Sequence, residues 1–147
     1  MMRTRVLLPS DGSDTAMKAA VYAARLMKIN PEMKLTVLVV VPGSNDFLGE
    51  NNNEGKEIME KIDRAMEAKA AEILEKTMSV FKKEGIEVEG LIEKGDPAGV
   101  IVDYSGRGKY DHIIMGSRGV SELRGVAVGS VSHKVIQLAD SRVTLVK

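Results

Sequence analysis

Short apolar runs alternate with helical patterns from one end of this 147-residue chain to the other, and that alternation restricts its fold more than any other feature. Val6-Leu7-Leu8 is a continuous apolar run, as expected of a strand buried on both faces. Leu35 to Val41 (LTVLVVV) is the most strongly β-branched stretch and reads as a central parallel strand. Ile86, Val88, Gly90 and Ile92 alternate with Glu87, Glu89 and Leu91, which predicts a half-covered strand at a sheet edge. His112 to Met115 and Val143 to Val146 read as two further short strands.

Helical patterns fill the intervals. Ser13 or Asp14 can cap a helix in which Ala16, Ala19, Ala20, Ala23, Ala24 and Met27 recur three and four residues apart, until Asn30-Pro31 breaks it. Lys56 to about Glu84 predicts a long helix with Ile58, Ile62, Ala65, Met66, Lys69, Ile73 and Val80 on its inner stripe, closed by Gly85. Asp96-Pro97 opens a helix running past Tyr104 to Gly106 or Gly108, and Val131 to Ala139 reads as the last one. The order βαβαβαβαβ predicts a parallel sheet with helices on both faces, in a single domain covering 1–147.

Within this frame lies a glycine pattern: Gly116, two residues, Gly119, nine residues, then Gly129-Ser130. With 14 glycines in the chain, such a match arises by accident in roughly one sequence in a hundred. Glycines at fixed offsets mean positive φ or an approach closer than a Cβ permits. The first pair falls where a buried strand ends and Gly129-Ser130 falls where a helix begins, so amides and the positive end of the helix dipole converge on one place. That is an anion site, with phosphate the natural occupant; the alternative is that these are turn and helix-start glycines.

Ligands on doubly wound sheets bind beyond the carboxyl ends of the strands, where the strand order reverses. If the first and fourth strands are neighbours there, Asp11 at the end of one meets Gly116 at the end of the other, and residues a hundred positions apart share a pocket. Other chemistries are weakly represented. Lys plus Arg and Asp plus Glu are 21 each, without blocks of like charge, which argues against a nucleic-acid groove or a membrane surface. The absence of cysteine excludes thiolate metal sites, and together with a start lacking a long apolar run it points to a cytoplasmic protein. No glycine-lysine pair is followed by Ser or Thr, so there is no Walker loop. His112 and His133 show no partner spacing for a metal or a triad, and Asp11 beside Ser10 and Ser13 reads as capping rather than as a nucleophile. Pro42 to Gly55 is a long polar stretch, readable as a lid or as a plain connection.

Taken together, Pro9-Ser10-Asp11-Gly12-Ser13, Asp111 to Gly119 and Gly129-Ser130-Val131 resemble the universal stress protein family, and within it the ATP-binding branch. The resemblance covers nearly the whole chain. It implies an open five-stranded parallel sheet, Rossmann-like, in the order 3-2-1-4-5, with ATP or another adenine nucleotide between the ends of the first and fourth strands. It implies Mg or Mn with the nucleotide, and homodimers paired through the last strand, Val143 to Val146. Carried over to this sequence, the likeness makes Pro9, Ser10, Asp11, Val40, Met115, Gly116, Arg118, Gly119, Gly129, Ser130 and Val131 the nucleotide-binding set. Asp11 would contact the adenosine part and the Val40 backbone the adenine edge. Gly116 and Gly119 would admit ribose and phosphates beside Met115, and Gly129, Ser130 and the Val131 amide would hold the terminal phosphates. Arg118 and Arg124 could neutralise phosphate charge, although exposed arginines are more often solvated.

Three functional classes follow: a nucleotide-binding regulatory protein with at most slow hydrolysis, a phosphohydrolase or nucleotidyl transferase on the same fold, and a dimeric interaction module in which the glycines are structural. The first is preferred, because an anion cradle is visible while no acid, base or nucleophile stands in recognisable relation to it.

Overall fold

The computed structural model describes residues 4–43, 53–119 and 128–147. Its elements run β1 (Arg5–Pro9), α1 (Asp14–Ile29), β2 (Lys34–Val41), α2 (Asn53–Lys82), β3 (Glu89–Lys94), α3 (Pro97–Arg107), β4 (His112–Gly116), α4 (Ser130–Leu138) and β5 (Arg142–Val146). The strands form one five-stranded sheet in the order β3-β2-β1-β4-β5. Every pairing is parallel, with Val6 opposite both Leu35 and His112. The order runs one way from β1 through β2 to β3 and the other way through β4 to β5, so the switch point lies between β1 and β4.

Side chains on a strand alternate between its faces, and the core divides accordingly. Val6, Leu8, Val37 and Ile114 pack with the alanines of α1 and with Phe81 of α2. Leu7, Leu38, Ile113 and Met115 pack on the other face with Ala98 and Ile101 of α3 and Val135 of α4. The small residues Ala19, Ala20 and Ala23, all fully buried, let α1 lie close to the sheet. Among the described residues no helix is long and apolar enough to cross a membrane.

Two expectations need correction. The third strand begins at Glu89 rather than Ile86. Gly85 has φ +69 and ends α2 in a Schellman turn, in which the Gly85 amide donates to the Lys82 carbonyl and the Ile86 amide to that of Phe81, each at 3.0 Å. This commits Ile86 to the helix end, and Ile86 and Val88 pack against the α1–α2 core before pairing with β2 starts. The inner stripe of α2 is also shorter than expected: Met66, Ala70, Ile73, Leu74, Thr77, Met78 and Phe81 face the protein, whereas Ile58, Ile62, Ala65 and Lys69 are exposed. A helix of 30 residues is about 45 Å long, whereas the 8 residues of β2 span about 26 Å. The first half of α2 therefore overhangs the sheet. Most of the proposed lid, residues 44–52, and Arg124 lie outside the described residues.

Candidate functional site

At the carboxyl ends of β1, β2 and β4 the chain encloses a cavity of about 400 Å³. Its walls include every residue assigned to nucleotide binding from the sequence: Pro9, Ser10, Asp11, Val40, Met115, Gly116, Arg118, Gly119, Gly129, Ser130 and Val131. The topology accounts for the convergence, since β1 and β4 are adjacent at the switch point and deliver Pro9 and Gly116 to the same rim.

Helices α1, α3 and α4 all begin at this rim, and their starts differ. Ser13 caps α1 by accepting from the Ala16 amide at 3.3 Å. Asp96 caps α3 by accepting from the Gly99 amide at 3.0 Å. The N-cap of α4 is Gly129, which supplies no side-chain cap. The Gly129 amide itself is used, donating to the Ser117 carbonyl at 2.6 Å. The Val131 amide, in the first turn and at the cavity wall, has no acceptor among the described residues. A helix start left without a cap presents amides and the positive dipole end to whatever anion the cavity holds.

The loop that follows β4 is stitched to the start of α1. Thr15 Oγ1 donates to the Arg118 carbonyl at 2.8 Å, and Ser13 Oγ donates to the same oxygen at 3.3 Å. Ser132 Oγ donates to the Gly116 carbonyl at 2.9 Å, tying α4 to the end of β4. Gly116 itself has a role that spacing could not show. A Cβ there would lie 2.4 Å from Thr15 Oγ1 and 2.6 Å from the Ala16 amide nitrogen, so the glycine admits the first turn of α1.

Across the cavity, Asp11 is exposed and its Oδ1 accepts from the Ser13 amide at 2.9 Å, so it closes the turn before the helix, whereas the capping expected of it is done by Ser13. Gly12 in this turn has φ +78, the left-handed region. Sequence reasoning missed several wall residues: Ile73 from α2, Pro97 and Ile101 from α3, and Ser132. Ser132 had a signal in the Gly129-Ser130-Val131-Ser132 run; Ile73, more than forty residues from the nearest of the glycines in the pattern, had none. With Val39, Val40 and Leu38, these side chains make the wall near β2 apolar, whereas the α4 end is lined by main chain and serines. The cavity thus suits a ligand with one flat apolar part and one anionic part. Among the described residues no group of three or more His, Asp or Glu side chains is gathered as a metal site.

These features define a doubly wound parallel α/β domain with a cavity at its switch point. The chain belongs to the universal stress protein family, whose family model matches residues 2–147. It is 29% identical over 151 residues to the universal stress protein YxiE of Bacillus subtilis, covering 99% of this chain and 100% of that one. Universal stress protein UspA from Lactobacillus plantarum superposes with a TM-score of 0.83 at 25% identity, covering 100% of this chain and 99% of that one. The universal stress protein from Archaeoglobus fulgidus in complex with dAMP superposes with a TM-score of 0.70 at 24% identity, covering 100% of each chain.

Proposed function

We propose that this universal stress protein binds ATP, or another adenine nucleotide, in the switch-point cavity, and acts as a regulatory protein rather than as a fast enzyme. One observation carries the reading: helix α4 starts at a glycine that supplies no side-chain cap, and its first residues line the same cavity as Asp11. The phosphates belong at the α4 end, with Gly129, Ser130 and Val131, and the adenosine part between Asp11 and Val40. The dAMP complex of the Archaeoglobus fulgidus protein supports an adenine nucleotide on this fold. Main-chain amides hold negative charge but take up no proton, so hydrolysis at such a site is slow. Mg or Mn accompanies the nucleotide, with phosphate oxygens and water as most of its ligands. The protein is cytoplasmic and pairs through β5 into a homodimer.

The test is mass spectrometry of the protein purified without added nucleotide, followed by calorimetric titration with ATP, ADP, AMP and cAMP. Adenine nucleotide at ~1:1 is expected, the stoichiometry of a single helix-start site. A preparation free of nucleotide that gives no heat with millimolar ATP overturns the reading.

A further inference from the structure

At the Pro9–Ser13 turn the buried Ser10, itself at the cavity wall, meets Thr77 of α2, which does not line the cavity; Ser10 is 6% exposed and Thr77 0%. Their hydroxyl oxygens are 2.8 Å apart. Each hydroxyl has a single proton, and the acceptors around it decide where the proton goes. Two acceptors that cannot donate lie near Thr77 Oγ1, the Ile73 carbonyl at 2.8 Å and the Met17 sulfur at 3.8 Å; a thioether accepts only weakly, so the Thr77 proton points to the carbonyl. Ser10 must then donate to Thr77, which leaves Ser10 Oγ to accept from the Gly12 amide at 3.3 Å. The result is a directed chain running from the Gly12 amide through Ser10 and Thr77 to the Ile73 carbonyl. Aligned donors of this kind polarise one another in a dry interior.

Gly12 is also held through its carbonyl, in the next peptide unit. Lys76 Nζ donates to the Gly12 carbonyl at 3.1 Å, and a Cβ on Gly12 would be 3.2 Å from Ile73 Cγ1. Ile73, Lys76 and Thr77 of α2 therefore grip the turn that carries Asp11, and Ile73 is at the same time a wall of the cavity. We infer that Thr77 is a positioning residue for the ligand: it is not among the residues that line the cavity, yet it fixes the height of the Asp11 turn against Ile73. The inference rests on the adenine-nucleotide reading of the cavity. It assigns to α2, the helix that overhangs the site, control of the adenosine end, while the phosphate end is left to α4.

The experiment compares wild type, Thr77→Val and Thr77→Ser in calorimetric titrations with adenosine and with ATP. Valine keeps the shape and breaks the chain; serine keeps the chain. The expected result for Thr77→Val is a loss of about 3- to 10-fold in affinity, the worth of one interior hydrogen bond. The loss should be equal for adenosine and ATP, so that the ratio of the two affinities stays at its wild-type value, and Thr77→Ser should recover most of it. Unchanged affinity in Thr77→Val overturns the inference. So does a loss confined to ATP, or one that serine does not repair, because either would mean damage reaching α4. A wild-type protein that binds neither ligand overturns the underlying reading of the cavity, and shows it before any variant is made. If Thr77→Val does not fold, Lys76→Met releases the same turn from the exposed side: a drop of about twofold for both ligands supports the inference, and an unchanged affinity overturns it.

Discussion

Gly116 stands against Thr15 at a distance that only a hydrogen in place of a side chain permits: a Cβ on Gly116 would come within 2.4 Å of Thr15 Oγ1. Thr15 cannot simply swing aside, because its hydroxyl donates to the Arg118 carbonyl at 2.8 Å and the loop after β4 hangs on that bond. The first glycine of the pattern is thus the point where β4, α1 and the loop after β4 are locked together.

Gly116→Ala should therefore destabilise the protein by about 2 kcal/mol, within the range for forcing a methyl group into a packed site, and lower Tm by roughly 4–8 °C for a chain of this size. Gly106, inside α3, has open space where a Cβ would stand and no positive φ. Gly106→Ala should stabilise by about 0.5–1 kcal/mol through helix propensity. Urea or thermal unfolding of the two variants beside wild type should show shifts of opposite sign; equal shifts would mean that packing at Gly116 is not what matters there.

Much of this architecture is legible in the sequence because its signals are local. The run Val6-Leu7-Leu8 marks a strand covered on both faces, Gly85 marks a left-handed helix end, and Asp96-Pro97 marks a helix start. Position along the chain also tells which residues reach the carboxyl rim, so the glycine pattern and the Asp11 turn could be placed together. What cannot be read is contact between distant segments. Spacing shows that Gly116 needs closeness but not that Thr15 and Ala16 supply it, and nothing near Ile73 marks it as a cavity wall. The outer half of α2 misleads for a physical reason: Ile58 and Ile62 continue the helical period, but the sheet beneath them has ended.

Gly129 allows the phosphate reading to be tested by charge. Gly129→Asp would supply the carboxylate cap that α3 already has in Asp96, and place it where phosphate should sit; Gly129→Asn supplies a cap of the same size without the charge. If α4 holds phosphate, ATP should bind the aspartate variant about tenfold more weakly than the asparagine variant, consistent with 1–2 kcal/mol for a charge at a helix start. Adenosine should distinguish the two variants little. Equal ATP affinities in isothermal titration would remove phosphate from the α4 end.

His112 makes stability depend on pH. Burial, and secondarily the nearby Arg142 charge, lowers its pKa from the ordinary 6.5, and its Nε2 lies 2.6 Å from Thr144 Oγ1. The unfolded chain therefore takes up the proton at a higher pH than the folded one, and protonation favours unfolding. The contribution is complete above about pH 6.5, declines as pH falls from there to the depressed folded value, and is constant below it. Urea unfolding at a series of pH values from neutral down through this window should show a slope that His112→Gln flattens. A slope unchanged by the substitution would assign the effect to other groups.

The β5 edge can be tested through its main chain. The Arg142 amide donates to the Asp111 carbonyl at 3.2 Å and the Val146 carbonyl accepts from the Ser117 amide at 2.9 Å, so these alternate residues face β4. Val143 and Leu145 must then direct their amides and carbonyls outward, where a second copy could pair with them. Proline is tolerated on such an edge because the amide it removes is not used within the protomer. Leu145 also packs on the α3–α4 side of the core, so Leu145→Ala is the control that loses the packing and keeps the amide. Both variants should lose about 1–3 kcal/mol of protomer stability. If the proposed homodimer pairs through β5, Leu145→Pro should be a monomer in sedimentation equilibrium at concentrations where wild type and Leu145→Ala are dimeric; dimers that survive proline at 145 would have to be paired through another surface, and a monomeric wild type would overturn the proposed homodimer.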